Sequence, residues 1–142
     1  MILNKILIIS SLCVVITVRG AVHDIRHETV MRVFEMPQEI IQAFINADAK
    51  VIGKYFNSPV ELIFSESSGV YAKAQAEQIL KTFFSNNASP RGKFDYKHLH
   101  DSKQRDNVQY YIGELHTGKG SYRVTIFMKN QLIHRMRIES ND

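Results

Sequence analysis

The apolar residues of this chain follow three successive patterns. Residues 6–18 form one unbroken run of apolar and small side chains. Between residues 37 and 84 apolar positions mostly recur every three or four residues, which is typical of helices with one buried face. From residue 94 onward they alternate with polar positions, which is typical of strands. The pattern therefore predicts an N-terminal apolar segment, a largely helical region and a terminal sheet.

Three helices are predicted. Pro37 stands at a first helical position and opens a helix over 37–46. Asp48 is a suitable N-cap for a second, short helix, which ends at the turn-forming residues 57–59. The third and longest helix covers 73–84, and its single apolar stripe consists of Ala76, Ile79, Leu80, Phe83 and Phe84.

Five strands are predicted around these helices. Residues 60–65 alternate as a first strand, and residues 66–69 have the composition of a turn. The remaining four strands cover 94–100, 108–117, 121–129 and 132–139, and the last two connections are short enough to force antiparallel hairpins. The order α-α-β-α-β-β-β-β predicts an α+β fold in which three helices pack on one face of a curved antiparallel sheet.

The first 20 residues are interpreted as a secretory signal peptide. Lys5 is the only charge before Arg19, and the apolar run is too short to cross a bilayer, which takes about 20 residues. Cleavage is expected near Gly20/Ala21, so the protein is predicted to be exported to the periplasm or secreted, with no stable membrane span; an uncleaved anchor is the alternative. Residues 21–35 are expected to be a leader that is mobile or lies along the domain, and 36–140 form the domain.

Composition narrows the function classes. Removal of residues 1–20 lowers the formal net charge from +4 to +2, which argues against nucleic-acid binding. Cys13, the only cysteine, lies in the predicted signal, so the mature chain has neither a disulfide nor a thiolate. His98 and His100 are predicted to project from one strand face, but no third metal ligand accompanies them. No cofactor and no metal are predicted, since phosphate-binding loops and nucleophile motifs are also absent from the sequence.

A resemblance to a known superfamily adds to this prediction. The helical pattern of 41–56, followed by the strand at 60–62 and a terminal sheet, resembles the nuclear transport factor two-like (cystatin-like, SnoaL-like) cone. Within it, the segments 69–81, 83–84, 121–124 and 137–139 resemble a family of small exported bacterial proteins classed as a domain of unknown function, and the stretch 70–77 is the stronger marker. The resemblance covers about 36–139 and implies a fold without a chemistry. None of the catalytic positions of ketosteroid isomerase or scytalone dehydratase can be matched to a residue here.

The alternation of side chains between the two faces of a strand gives candidate site residues. A two-residue hairpin at 130–131 would pair Phe127 with His134 and Thr125 with Met136, so that these side chains share one face. That face is predicted to be concave, and His134 is the candidate general acid or base, with a buried structural histidine as the alternative. The predicted ligand-binding pocket consists of Tyr55, Tyr111, Phe127, His134 and Met136.

The opposite sheet face is predicted to form a homodimer interface. It mixes apolar and charged residues, as a surface covered by a second copy does; a solvated face is the alternative. The predicted interface residues are Ile112, Val124, Ile126, Arg135 and Arg137. The sequence thus favours an exported, noncatalytic cone domain that binds a small apolar ligand or a protein. The alternative function is a SnoaL-like cyclase, isomerase or dehydratase that uses a pocket histidine and tyrosine.

Overall fold

A computed structural model describes residues 35–65, 67–103 and 108–141. The predicted signal peptide, and the leader up to residue 34, lie outside the described residues. No helix in the described ranges is long and apolar enough to cross a membrane.

The described part of the chain contains three helices, where the hydrophobic spacing predicts them. They are α1 (Gln38–Ile45), α2 (Ala49–Lys54) and α3 (Lys73–Asn86). Asp48 caps α2, because its side chain accepts a hydrogen bond from the Val51 backbone N–H at 3.1 Å. Along α3 every fourth residue from Ala76 is buried, which places one stripe of this helix against the sheet.

Six strands form one curved sheet. They are β1 (Phe56–Phe64), β2 (Ser67–Tyr71), β3 (Asp95–Lys103), β4 (Val108–His116), β5 (Ser121–Lys129) and β6 (Leu132–Ser140). Their order is β2-β1-β6-β5-β4-β3. The α+β fold with three helices on a curved sheet is confirmed, but several details differ from the prediction. Strand β1 begins at Phe56, so residues 57–59, predicted to be a turn, lie within it. Residues 67–71 form a strand paired to β1 instead of a turn, and β1 lies parallel to β6.

The hydrophobic core lies between the helices and one face of the sheet, here called the inner face. Phe44 from α1, Ile52 from α2 and Leu80 from α3 are all fully buried in it. The inner face contributes a buried set from the last three strands: Tyr111, Leu115, Val124, Ile126, Met128, Ile133, Met136 and Ile138. We call the opposite side of the sheet the outer face.

The predicted pairing of β5 with β6 is wrong beyond its first two residue pairs. Lys129 faces Leu132 as predicted, but the register shifts by one between Phe127 and Met128. His134 is the extra residue of this β-bulge, so Met136 faces Ile126 rather than Thr125. The bulge therefore turns Met136 to the inner face and leaves Phe127 on the outer face.

A second register shift lies in β3. His98 pairs with Gly113 and His100 with Ile112, so Leu99 is the extra residue. Consequently His98 and His100 do not share a face, contrary to the prediction. Instead, His98 lies on the same side of the strand as Asp101.

Candidate functional site

A groove of about 450 Å³ opens between α3 and the neighbouring ends of β1, β5 and β6. Helix α3 forms one side of the groove, and the start of β2 contributes to its rim. Nine residues line it: Phe64, Ser65, Ser67, Ile79, Phe83, Asn86, Tyr122, Ile138 and Ser140.

The apolar wall of the groove centres on Phe83. Its ring centroid lies 5.4 Å from that of Phe64 and 5.2 Å from that of Tyr122, which it meets edge to face. The Tyr122 hydroxyl donates a hydrogen bond to Oδ1 of the buried Asn87 at 2.8 Å, and the Asn87 amide in turn donates to the Phe83 carbonyl at 2.9 Å. Because its hydroxyl is bound in this way, Tyr122 contributes mainly its ring to the groove.

The rim of the groove is polar and uncharged. Ser65 Oγ accepts a hydrogen bond from the Ser140 backbone N–H at 3.0 Å. The side chains of Asn86 and Ser67 form no hydrogen bond with any described residue, so both can bond to a ligand or to water. None of the nine lining residues carries a carboxylate, ammonium, guanidinium or imidazole group. The groove therefore offers an aromatic wall and neutral hydrogen-bonding groups.

The structure does not bring the five predicted pocket residues together, and none of them lines this groove. Tyr111 and Met136 are buried in the core, where each is 1% exposed. Phe127 and His134 meet edge to face on the outer face, with ring centroids 6.2 Å apart. The imidazole of His134 also lies against Asn57, with Nδ1 at 3.4 Å from the amide nitrogen.

Tyr55 is engaged elsewhere. Its hydroxyl donates a 2.6 Å hydrogen bond to Glu39 Oε2 at an exposed position on α1. This hydrogen bond is the main reason that the pKa of Tyr55 lies above its usual value and the pKa of Glu39 below its usual value. The hydroxyl groups of the two predicted pocket tyrosines, Tyr55 and Tyr111, therefore bond to Glu39 and Gln109 rather than to His134.

The predicted dimer interface mixes residues from both faces. Val124 and Ile126 are fully buried in the core of the same chain, so they cannot meet a second copy. Ile112, Arg135 and Arg137 do lie on the outer face. The prediction placed Ile112 on the same face as Val124 and Ile126, but Ile112 pairs with Thr125 on the outer face, and Val124 and Ile126 lie on the inner face.

A polar cluster on the inner side of β3 and β4 was missed by the sequence reasoning. Nε2 of His98 lies 2.8 Å from Oδ1 of Asp101, but the contact is not aligned as a hydrogen bond. The His98 and Tyr111 ring centroids lie 6.2 Å apart. Burial, and secondarily the charge of Asp101, raises the pKa of Tyr111 to about 12 and raises that of Tyr96 as well. Both imidazole nitrogens are buried, and His98 does not line the groove.

Comparison with known proteins places the chain in a family. The family model for a domain of unknown function, DUF4783, matches residues 37–140. The chain belongs to the DUF4783 family. A DUF4783 protein from Bacteroides uniformis is 32% identical, with a TM-score of 0.66, and the match covers 76% of this chain and 99% of that one. A second, from Bacteroides ovatus, is 31% identical with the same TM-score, and the match covers 76% of this chain and 97% of the other.

More distant structures share the fold of this DUF4783 domain. A ketosteroid isomerase-like protein from Erwinia carotovora atroseptica is 9% identical, with a TM-score of 0.58; the match covers 74% of this chain and 90% of the other. At that identity the likeness shows the fold alone. No curated protein matches the chain. The resemblance to a family of unknown function is confirmed by the DUF4783 match, and the fold is shared with an NTF2-like protein from Cytophaga hutchinsonii that is 9% identical, with a TM-score of 0.53. The family name carries no activity.

Proposed function

We propose that this DUF4783 domain is a noncatalytic binding domain that holds a small apolar ligand in the groove between α3 and the sheet. The observation that carries the proposal is the aromatic wall around Phe83, within a space of about 450 Å³. Ligand pockets typically measure about 300–1,000 Å³ and are lined mostly by apolar and aromatic side chains. The groove fits this description in size, and Phe64, Phe83 and Tyr122 give it an aromatic wall beside a polar rim.

The positions of the titratable groups favour binding over catalysis. General acid–base catalysis needs a titratable side chain within hydrogen-bond reach of the reacting atoms. His134 lies on the outer face, and the nitrogens of His98 are buried outside the groove. A SnoaL-like reaction in the groove would therefore lack a histidine, which supports a noncatalytic function.

The binding proposal can be tested with N-phenyl-1-naphthylamine, an uncharged probe that becomes fluorescent in apolar surroundings. Ile79→Trp would fill the groove, whereas Gln78→Trp places the same side chain on the exposed side of α3. We expect the wild type and Gln78→Trp to bind the probe alike, and Ile79→Trp to bind it at least about tenfold more weakly. Equal binding by all three proteins, or binding by none, would overturn the proposal.

The sequence also supports export of this domain. Residues 1–20 have the charge, the apolar core and the small residue at the cleavage position that a secretory signal requires. The binding domain would then act in the periplasm or outside the cell.

A second candidate function is self-association through the outer face, which a row of alternating charges favours. Lys97, Glu114, Arg123 and Glu139 pair successively across β3, β4, β5 and β6. A two-fold axis parallel to the strands, between β4 and β5, would place β3 over β6 of a second copy and β4 over its β5. Every charge in the row would then face an opposite charge, as an isologous interface requires.

Light scattering of charge variants tests the homodimer. Arg123→Glu would set two pairs of like charges against each other across the two-fold axis, so we expect it to shift the protein to monomer. Adding Glu114→Arg restores opposite charges at the same positions and should restore the dimer. Lys50→Glu on the exposed side of α2 is the control for net charge. A wild-type monomer at high concentration, or a dimer insensitive to Arg123→Glu, would contradict this interface.

A further inference from the structure

We propose that the groove selects uncharged amphipathic ligands, with an apolar ring or chain against Phe83 and a hydroxyl or carbonyl group at Asn86 and Ser67. This inference rests on the proposed binding function and specifies its ligand class. It follows from two properties of the nine described lining residues: none of them has a charged side chain, and the Asn86 and Ser67 side chains form no hydrogen bond with a described residue.

The lack of charge excludes ionised ligand groups from the groove. A carboxylate, sulfonate or ammonium group that enters an apolar site loses its hydration, and only a counter-charge or several hydrogen bonds can compensate for that loss. The five apolar residues of the wall offer neither, and the four polar lining residues are neutral. A ligand with a neutral polar group avoids this penalty, because one or two hydrogen bonds satisfy it.

The free polar groups define where the neutral end of the ligand would lie. Asn86 is the last residue of α3, and Ser67 is the first residue of β2. The Asn86 amide provides both donors and an acceptor, and the Ser67 hydroxyl can donate or accept. Hydroxyl and carbonyl groups can both bond to this combination. Another serine of the rim, Ser65, already accepts a hydrogen bond from the Ser140 backbone N–H through its Oγ atom.

Two probes that differ by one sulfonate group test the exclusion of ions. N-phenyl-1-naphthylamine is neutral, and 8-anilino-1-naphthalenesulfonate carries a sulfonate on the same ring system. We expect the wild type to bind the neutral probe at least about tenfold more tightly. Asn86→Lys should raise the affinity for the sulfonate probe by about tenfold or more, since it supplies the missing counter-charge. Ser85→Lys, on an exposed neighbouring residue outside the lining, should leave the preference unchanged.

A second pair of probes tests the neutral polar end. 1-Naphthol and naphthalene differ by one hydroxyl group. Asn86→Leu should weaken binding of 1-naphthol by about fivefold, the effect of one lost hydrogen bond, and should leave naphthalene binding nearly unchanged.

The outcomes separate this inference from the function on which it rests. If no probe binds, both are overturned. If the sulfonate probe binds as tightly as the neutral one, or if Asn86→Lys does not alter the preference, the groove still binds ligands but its selectivity for uncharged ones is refuted. If Asn86→Leu affects 1-naphthol and naphthalene equally, the polar contact at Asn86 is refuted.

Discussion

The close approach of Gly113 and Tyr96 allows a sharp test of the packing of the inner face. A Cβ at Gly113 would overlap the hydroxyl oxygen and Cζ of Tyr96 and would lie 2.7 Å from its Cε2 atom. Tyr96 has little room to move, because it is 7% exposed and its ring stacks on Phe44 with centroids 5.0 Å apart. Gly113→Ala should therefore disturb the stack as well as the strand.

The expected magnitude follows from two opposing effects. Alanine in a strand interior is favoured over glycine by about 0.5–1 kcal/mol, because glycine loses more backbone entropy on folding. Forcing extra atoms into a packed core costs about 1–3 kcal/mol. The overlap involves ring carbons as well as the flexible hydroxyl, so the packing cost should prevail and Gly113→Ala should destabilise the domain by about 1–2 kcal/mol.

A double-mutant cycle isolates the contact. Tyr96→Leu removes the ring atoms that the new Cβ would meet and is expected to cost about 1–3 kcal/mol by itself. In that background Gly113→Ala should be neutral or slightly stabilising, which gives a coupling of at least about 1 kcal/mol. Tyr96→Phe keeps Cζ and should not relieve the overlap. Urea unfolding followed by circular dichroism measures all variants. The reasoning is refuted if Gly113→Ala is as stable as the wild type, or if its cost is the same with and without the Tyr96 ring.

Three further predictions concern other parts of the chain. Asp48→Ala should destabilise the domain by about 1 kcal/mol in urea unfolding through loss of the α2 cap, and Asp48→Asn should retain most of that stability; equal losses would contradict the cap. The Tyr111 phenol holds its proton more tightly in the folded state, so stability should fall as the pH rises from about 10, the unfolded value, through about 12. Tyr111→Phe should reduce this alkaline loss, and an unchanged dependence of unfolding free energy on pH would refute the shift. Mass spectrometry of the exported protein should find an N-terminus near Ala21, whereas a chain that keeps residues 1–20 would contradict cleavage.

The helices could be predicted from the sequence because their determinants are local. In α3 the buried residues Ala76, Leu80 and Phe84 repeat every four positions. This spacing can be recognised in the sequence without knowing what the helix packs against. The cap of α2 requires only Asp48 and the backbone three residues later. Strand β2 was missed because its sequence, rich in serine and glycine, favours a turn, and only pairing with β1 makes it a strand.

The site residues could not be predicted by simple alternation, because each bulge inverts the parity of every residue that follows it. One signal was present in β6. Its buried residues Ile133, Met136 and Ile138 are separated first by three positions and then by two, which indicates an extra residue in between. In β3 the corresponding signal is weaker, because the extra residue, Leu99, is itself apolar and exposed.

The bulge at His134 connects the register of the sheet to the chemistry of the groove. If β6 continued from Ile133 in strict alternation, Arg135 and Arg137 would face inward and Ile138 outward. The extra residue reverses this arrangement: Ile138 becomes part of the groove lining, and both arginines lie on the outer face, where Arg135 pairs with Glu61. The uncharged lining therefore depends on one inserted residue, and the same residue places the charges on the surface where a second copy could bind.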